Sequence, residues 1–191
     1  MKKLFAVTAL FALASLPCLA QTTTWQVDTA HTASQFAIKH MGISTVRGQF
    51  NKTTGTIVLD EKDVTKSQIE VTVDTTTLDT RIDGRDKDVK GEGYLDVAKF
   101  PTMTFKSKSI TAAGEGKLKV TGDLTLHGVT KEVTFEVDGP SAAVTDPWKN
   151  LRRGASATAK INRKDFGVNG GGALVADEVL ITIDMEFTRK P

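Results

Sequence analysis

From Val179 to Thr188 the chain alternates. Val179, Ile181, Ile183, Met185 and Phe187 share one parity, and Leu180, Thr182, Asp184, Glu186 and Thr188 the other. Successive side chains of a strand point to opposite faces, so a period of two predicts a sheet with one dry face and one wet face. The pattern recurs down most of the sequence. Trp25–Asp28 is a short opening strand. Ser34–His40 places Phe36, Ile38 and His40 together, and Ser44–Phe50 does the same for Val46, Gly48 and Phe50. Thr56–Asp60 carries Ile57 and Leu59, Gln68–Asp74 carries Ile69, Val71 and Val73, and Thr102–Ile110 carries Met103 and Phe105. Two long strands, Lys117–Leu126 and Val129–Val137, flank His127-Gly128, a strong hairpin signal. Their inner faces are Leu118, Val120, Gly122, Leu124 and Leu126, then Val133, Phe135 and Val137. Ala155, Ala157, Ala159 and Ile161 share a face of the penultimate strand. Breaks are expected at Met41-Gly42, Thr53–Gly55, 113–116 and 170–172, with a long loop over 139–150 holding Trp148. About eight main strands in one domain predict an all-β antiparallel barrel, the strand number at which the interior is either just filled by side chains or holds one small ligand.

The period is lost between Thr75 and Pro101. Residues 78–90 are dense in charge and predict a short helical insertion across an end or edge of the sheet, capped by Asp79 or Thr80 and stopped by Gly91 and Gly93. Tyr94–Val97 predicts one more helical turn. Arg81, Asp83, Arg85, Asp86, Lys87 and Asp88 admit two readings: a solvated helix with internal ion pairs, or an anchor in which Arg85 and Asp86 pin the insertion to the barrel rim.

The N-terminus adds a compartment. Lys2 and Lys3 precede the apolar run Leu4–Ala14, and small residues at Cys18 and Ala20 precede Gln21. This is the pattern of a cleaved signal peptide over 1–20, with the domain over 21–191 and a periplasmic location. The apolar run is short of the ~20 residues of a membrane span, so no stable membrane insertion is expected. The one cysteine, Cys18, falls inside that leader, so the mature domain is expected to have neither disulfide nor thiol chemistry. Removing Lys2 and Lys3 takes the formal charge from +2 to zero, which leaves no basic excess for nucleic acid or an anionic membrane.

Chemistry-bearing motifs are sparse. His31, His40 and His127 have no metal-ligand spacing, and each is expected to bond backbone at a strand end; no metal and no cofactor are expected. His40, on the face of Phe36 and Ile38, is the best candidate for a polar contact inside the barrel. No Gly-x-Ser-x-Gly motif or phosphate loop is present, and no motif sets an acid beside a base, so no enzyme is expected. In Asn162–Gly167, Arg163 has two readings: it meets an anionic head group, or it pairs with Asp165 or with the Asp83–Asp88 cluster and locks the barrel end. Phe166 could plug the barrel.

Several segments together resemble the YceI-like family of secreted bacterial proteins. They are Trp25-Gln-Val-Asp28 with His31, Phe36-Ala-Ile-Lys-His-Met41 with Val46-Arg-Gly-Gln-Phe50, and Asp79-Thr80 with Arg85-Asp86. Further on come Phe100-Pro101 with Met103–Ser107, Gly122–Lys131 and Ile161–Gly167. The resemblance implies an eight-stranded antiparallel lipocalin-like barrel with a short helical insertion, and an elongated apolar pocket for an isoprenoid or related lipid: a polyprenyl phosphate, a quinone tail or a fatty acid derivative. Such proteins look like carriers, scavengers or stress-response proteins. Phe36, Ile38, His40, Val46, Phe50, Phe105, Leu124, Phe135, Arg163, Phe166, Met185 and Phe187 are the candidate ligand contacts, with Gly48, Gly122 and the Ala155–Ala159 face leaving room. The same residues would equally suit a packed core. The alternatives are a lipid-free structural or interaction protein, such as a homodimer displaying Trp148 or an open sheet edge, and a lipid head-group enzyme using the histidines.

Overall fold

The structure, a computed structural model, describes residues 22–190; the expected leader over 1–20 lies outside the described residues. Twelve strands form one sheet: β1 Thr22–Val27, β2 Ala33–His40, β3 Ser44–Phe50, β4 Thr53–Asp60, β5 Gln68–Asp74, β6 Leu78–Asp79, β7 Thr102–Gly114, β8 Lys117–Leu126, β9 Val129–Asp138, β10 Val144–Thr145, β11 Leu151–Asn162 and β12 Val175–Arg189. One helix, α1 Asp83–Lys90, lies between β6 and β7.

Twelve strands make eight walls because three walls are broken in two and the two-residue β10 continues the β9 wall along β11. β1 and β2 lie end to end along one edge of β12, β1 opposite Phe187 and Thr188 and β2 opposite residues 175–184. β4 and β3 form the next wall, pairing β1 and β2 respectively, and β5 and β6 the one after. The three breaks sit side by side. Thr29 Oγ1 donates to the Thr53 carbonyl at 2.6 Å, Asp74 N–H to the Lys52 carbonyl at 3.0 Å, and Asn51 N–H to the Thr77 carbonyl at 3.3 Å. Asp28 and Asp74 start two of them: each side chain accepts from the backbone N–H two residues on, drawing the chain off the ladder into a 3-10 turn. The walls then run β11-β9-β8-β7-(β5/β6)-(β4/β3)-(β1/β2)-β12, and β11 pairs β12 from Leu151↔Arg189 to Asn162↔Glu178 to close an eight-stranded antiparallel barrel.

Several boundaries differ from expectation. Thr53–Gly55 is inside β4, and the turn is Asn51-Lys52, because Thr53 is buried and its hydroxyl pairs with that of Ser34 at 2.8 Å. Neither Asp79 nor Thr80 caps α1. The capping position is Ile82, which makes no side-chain bond, while Asp79 instead accepts from Arg81 N–H. Tyr94–Val97 makes hydrogen-bonded turns rather than helix. The 139–150 loop holds the two-residue β10.

The barrel's two ends are built differently. At one end Trp25, 1% exposed, meets Phe187 edge-on at 5.6 Å and packs with Ile57 and Leu59. The guanidiniums of Arg153 and Arg189 each lie 5.3 Å from the Trp25 ring. Ile110, Leu118 and Val120 pack nearby strand ends. This end is a solid plug. At the other end, α1 and residues 91–101 fill the gap that β6, only two residues long, leaves beside β7. Thr75 ties this cover to the wall, donating from N–H to the Pro101 carbonyl (2.9 Å) and from Oγ1 to the Phe100 carbonyl (2.8 Å).

Arg152 staples the 139–150 loop to the plug end. Its guanidinium lies 2.6 Å from Asp28, 2.9 Å from Asp146 and 3.0 Å from Glu186. Burial pushes the Asp28 and Asp146 carboxyls up, but the hydrogen bonds they accept, from Arg152 first, outweigh it and hold both below the usual carboxylate range. A lowered folded-state value stabilises the fold above the unfolded-state value of 3.8 and stops doing so as pH falls through the folded one. Arg152→Met is therefore expected to lower the thermal midpoint at pH 7, and the gap from wild type should close below about pH 3.8. Circular-dichroism melts across pH 2–7 measure this.

Candidate functional site

The barrel is hollow above the plug. A cavity of about 450 Å³ runs up to α1, within the range of ~300–1,000 Å³ typical of small-molecule sites. Its wall is the inward parity of nearly every strand. Phe36, Ile38 and His40 come from β2, Val46 and Phe50 from β3, Phe105 from β7, Leu124 from β8, Phe135 from β9 and Met185 from β12. Trp25, Ile57, Leu59 and Phe187 are not in the wall, so the cavity is blind at that end; toward the other end exposed Asp88 and half-buried Arg85 of α1 contribute to it.

Ten of the twelve candidate contacts line this space. Phe187 belongs to the plug. Phe166 is buried in the main core cluster outside the wall. Sequence reasoning missed the upper wall, Val89, Tyr94 and Leu95, which the α1 cover supplies. These apolar residues within a charge-dense stretch were the available signal. It also left Ile181 and Ile183 out of the contacts, although they share the parity of Met185 and both line the wall.

The glycines do not leave room as expected. A Cβ on Gly48 would lie 2.5 Å from the Phe36 ring, and one on Gly122 would lie 2.3 Å from the Lys106 carbonyl. Both let a neighbour come close, and neither lines the cavity. The open space lies over Ala155 and Ala157 instead; Ala159 packs into the core.

The charged wall groups gather near α1. Thr80, 2% exposed, is gripped from both sides. Its N–H donates to Asp86 at 2.8 Å and its hydroxyl also donates to Asp86, while Arg85 donates to the Thr80 hydroxyl at 2.8 Å and carbonyl at 2.5 Å. This is the anchored reading of the charged cluster. Arg163, 3% exposed, spends its N–H groups on the carbonyls of Val168, Gly170, Val175 and Ala176 at 2.7–3.0 Å, with Asp177 at 3.8 Å. It pairs with neither Asp165 nor the α1 cluster. It organises the 163–176 loop, and its donors are already engaged.

The histidines part company. His127 bonds the Phe166 carbonyl at 3.2 Å, as expected of a strand-end histidine. His31 instead meets the Asp28 carboxylate at 2.9 Å. The His40 side chain faces the cavity and makes no hydrogen bond among the described residues. Asp28, His31 and Glu186 converge closely enough to hold a metal, but the Arg152 guanidinium already bridges both carboxylates. The cation at that point is an arginine.

A closed eight-stranded antiparallel barrel around a blind apolar cavity is a lipocalin-like barrel. The model of the YceI-like domain matches residues 25–187, and the chain belongs to that family. A UPF0312 protein of Vibrio parahaemolyticus is 40% identical over 88% of this chain and 89% of its own. Among solved structures, BcnA of Burkholderia cenocepacia superposes with a TM-score of 0.74 at 26% identity, over 84% of this chain and 98% of its own. A polyisoprenoid binding domain from Saccharophagus degradans shares the fold, with a TM-score of 0.62 at 15% identity over 87% of this chain and 98% of that one.

The grip on Thr80 can be tested. Thr80→Val removes the hydroxyl and leaves polar partners in a dry place, at an expected cost of about 1–3 kcal/mol. Hydrogen exchange should rise first in α1 and residues 91–97, before the β8–β9 hairpin.

Proposed function

We propose that the protein is a periplasmic carrier that holds an isoprenoid or related lipid by its hydrocarbon tail. The blind apolar cavity carries this reading. Its wall is mostly aliphatic and aromatic; the charged members, Arg85, Asp88 and Arg163, lie toward the α1 end, and Ser34, Gln35 and Thr104 are the polar members elsewhere. Burial at ~25 cal/mol per Å² holds a tail by area, without directional bonds. The polyisoprenoid-binding description of the Saccharophagus degradans domain supports the ligand class, and the N-terminal pattern over 1–20 supports the compartment.

Binding rather than catalysis fits the polar wall. His40 has no carboxylate partner among the described residues, and the Arg163 and Arg85 side chains are committed to holding backbone and Thr80. No acid is placed beside a base for proton transfer within the cavity wall.

Organic extraction of natively purified protein, followed by mass spectrometry, is expected to release a long-chain lipid in near-equal molar amount. Ala157→Phe puts a ring into the open space, and is expected to abolish that load while the far-ultraviolet spectrum stays unchanged. A protein that arrives empty, and ignores added quinone and polyprenyl phosphate, would falsify the carrier reading.

A further inference from the structure

The open end of the barrel carries apolar side chains where solvent should discourage them. Ile43, at the β2–β3 tip, is 83% exposed, and Met41 and Leu174 are exposed beside it. The three belong to one patch: Met41 N–H donates to the Leu174 carbonyl at 2.7 Å, and Ile43 N–H closes the turn onto the His40 carbonyl at 3.2 Å. Each is within three residues of a wall residue, Met41 and Ile43 next to His40 and Leu174 next to Val175. The turn puts Met41 at φ 51° and Gly42 at φ 71°. Such a position favours Asn, Asp or Gly, so an exposed methionine there is held against local backbone preference.

The β2–β3 hairpin that forms the tip carries charge of one sign. No Asp or Glu occurs between Asp28 and Asp60, although the chain has 23 of them against 25 Lys and Arg. Lys39 and Arg47 are exposed, lie on the outward parity of β2 and β3, and have no acidic partner among the described residues. On the neighbouring β12, Asp177 is already paired with Lys164 at 3.0 Å and Glu178 with Lys160 at 3.0 Å. An apolar tip flanked by the unpaired cations Lys39 and Arg47, at the open end of a greasy cavity, is complementary to an anionic lipid surface.

We infer that the β2–β3 tip, with Leu174, docks the open end of the barrel onto an anionic bilayer, Met41, Ile43 and Leu174 dipping into the interface while Lys39 and Arg47 meet lipid phosphates. The contact is peripheral: three side chains at a barrel rim, with no helix among the described residues able to cross a membrane. It deepens the carrier reading by naming the surface where a lipid is taken up or given back. It rests on that reading for its purpose and on the patch for its geometry.

Flotation with vesicles of phosphatidylethanolamine and phosphatidylglycerol tests it on the full chain. Wild type and variants keep the same residues 1–21, so any contribution of that apolar segment is common to all. Ile43→Ser/Leu174→Ser is expected to cut the bound fraction about tenfold. Lys39→Ser/Arg47→Ser is expected to abolish the preference over phosphatidylcholine vesicles, which in wild type should fade with added salt. Organic extraction of the same samples should find the lipid load unchanged in both variants. A loaded protein whose flotation ignores the rim substitutions overturns the docking surface and leaves the carrier reading standing. Rim-dependent flotation by an empty protein does the reverse. A rim variant that turns a dimer into a monomer in sedimentation, with flotation unaffected, overturns the inference in favour of a second copy.

Discussion

The pairing of β11 with β12 is the constraint on which everything else depends. Twelve consecutive residue pairs join the last two long strands and turn an open sheet into a tube. An open sheet of this composition would face solvent with Phe36, Phe105, Phe135 and Ile181 together, and would present two bare edges. Closure removes both problems, and it leaves an interior whose inward parity is apolar on every wall. The cavity follows from closure and from the small residues Ala155 and Ala157 on one of the closing strands.

What keeps the tube from collapsing into a filled core is unequal treatment of its ends. At the plug end a buried tryptophan and a phenylalanine pack together, with two arginine guanidiniums 5.3 Å from the indole ring. At the other end β6 stops after two residues, and the cover is a helix of low apolar content anchored through one buried threonine. Charges near the interior are handled in the same economical way. Arg163 is enclosed by backbone carbonyls, so its buried charge is satisfied without a ligand.

The period of two made most of the fold legible. It located every long strand, the His127-Gly128 hairpin, and the parity of nine of the ten candidate contacts that line the cavity, because a half-buried sheet imposes that rhythm wherever it runs. It could not reveal that three walls are broken, since the breaks at 28–32, 51–52 and 75–77 depend on carboxylates and threonines meeting across neighbouring strands. The roles of Gly48 and Gly122 were misread for a related reason: whether a missing Cβ leaves a void or admits a neighbour is decided by what sits opposite. Arg163 looked equally suited to a head group or an ion pair, because five donors on one side chain say nothing about which acceptors the following loop will bring. The upper wall was hidden because the α1 segment has no rhythm to read, and the Tyr94–Leu95 contribution comes from a cover folding back over the opening.

The plug around Trp25 has a directional consequence. A tube sealed at its base imposes an order on any linear guest: the far tip of the hydrocarbon leads on the way in, and the polar terminus leads on the way out. The guest never has to turn round. In the proposed carrier its hydrophilic end would stay beside Arg85, Asp88 and His40, already facing the threshold by which it came.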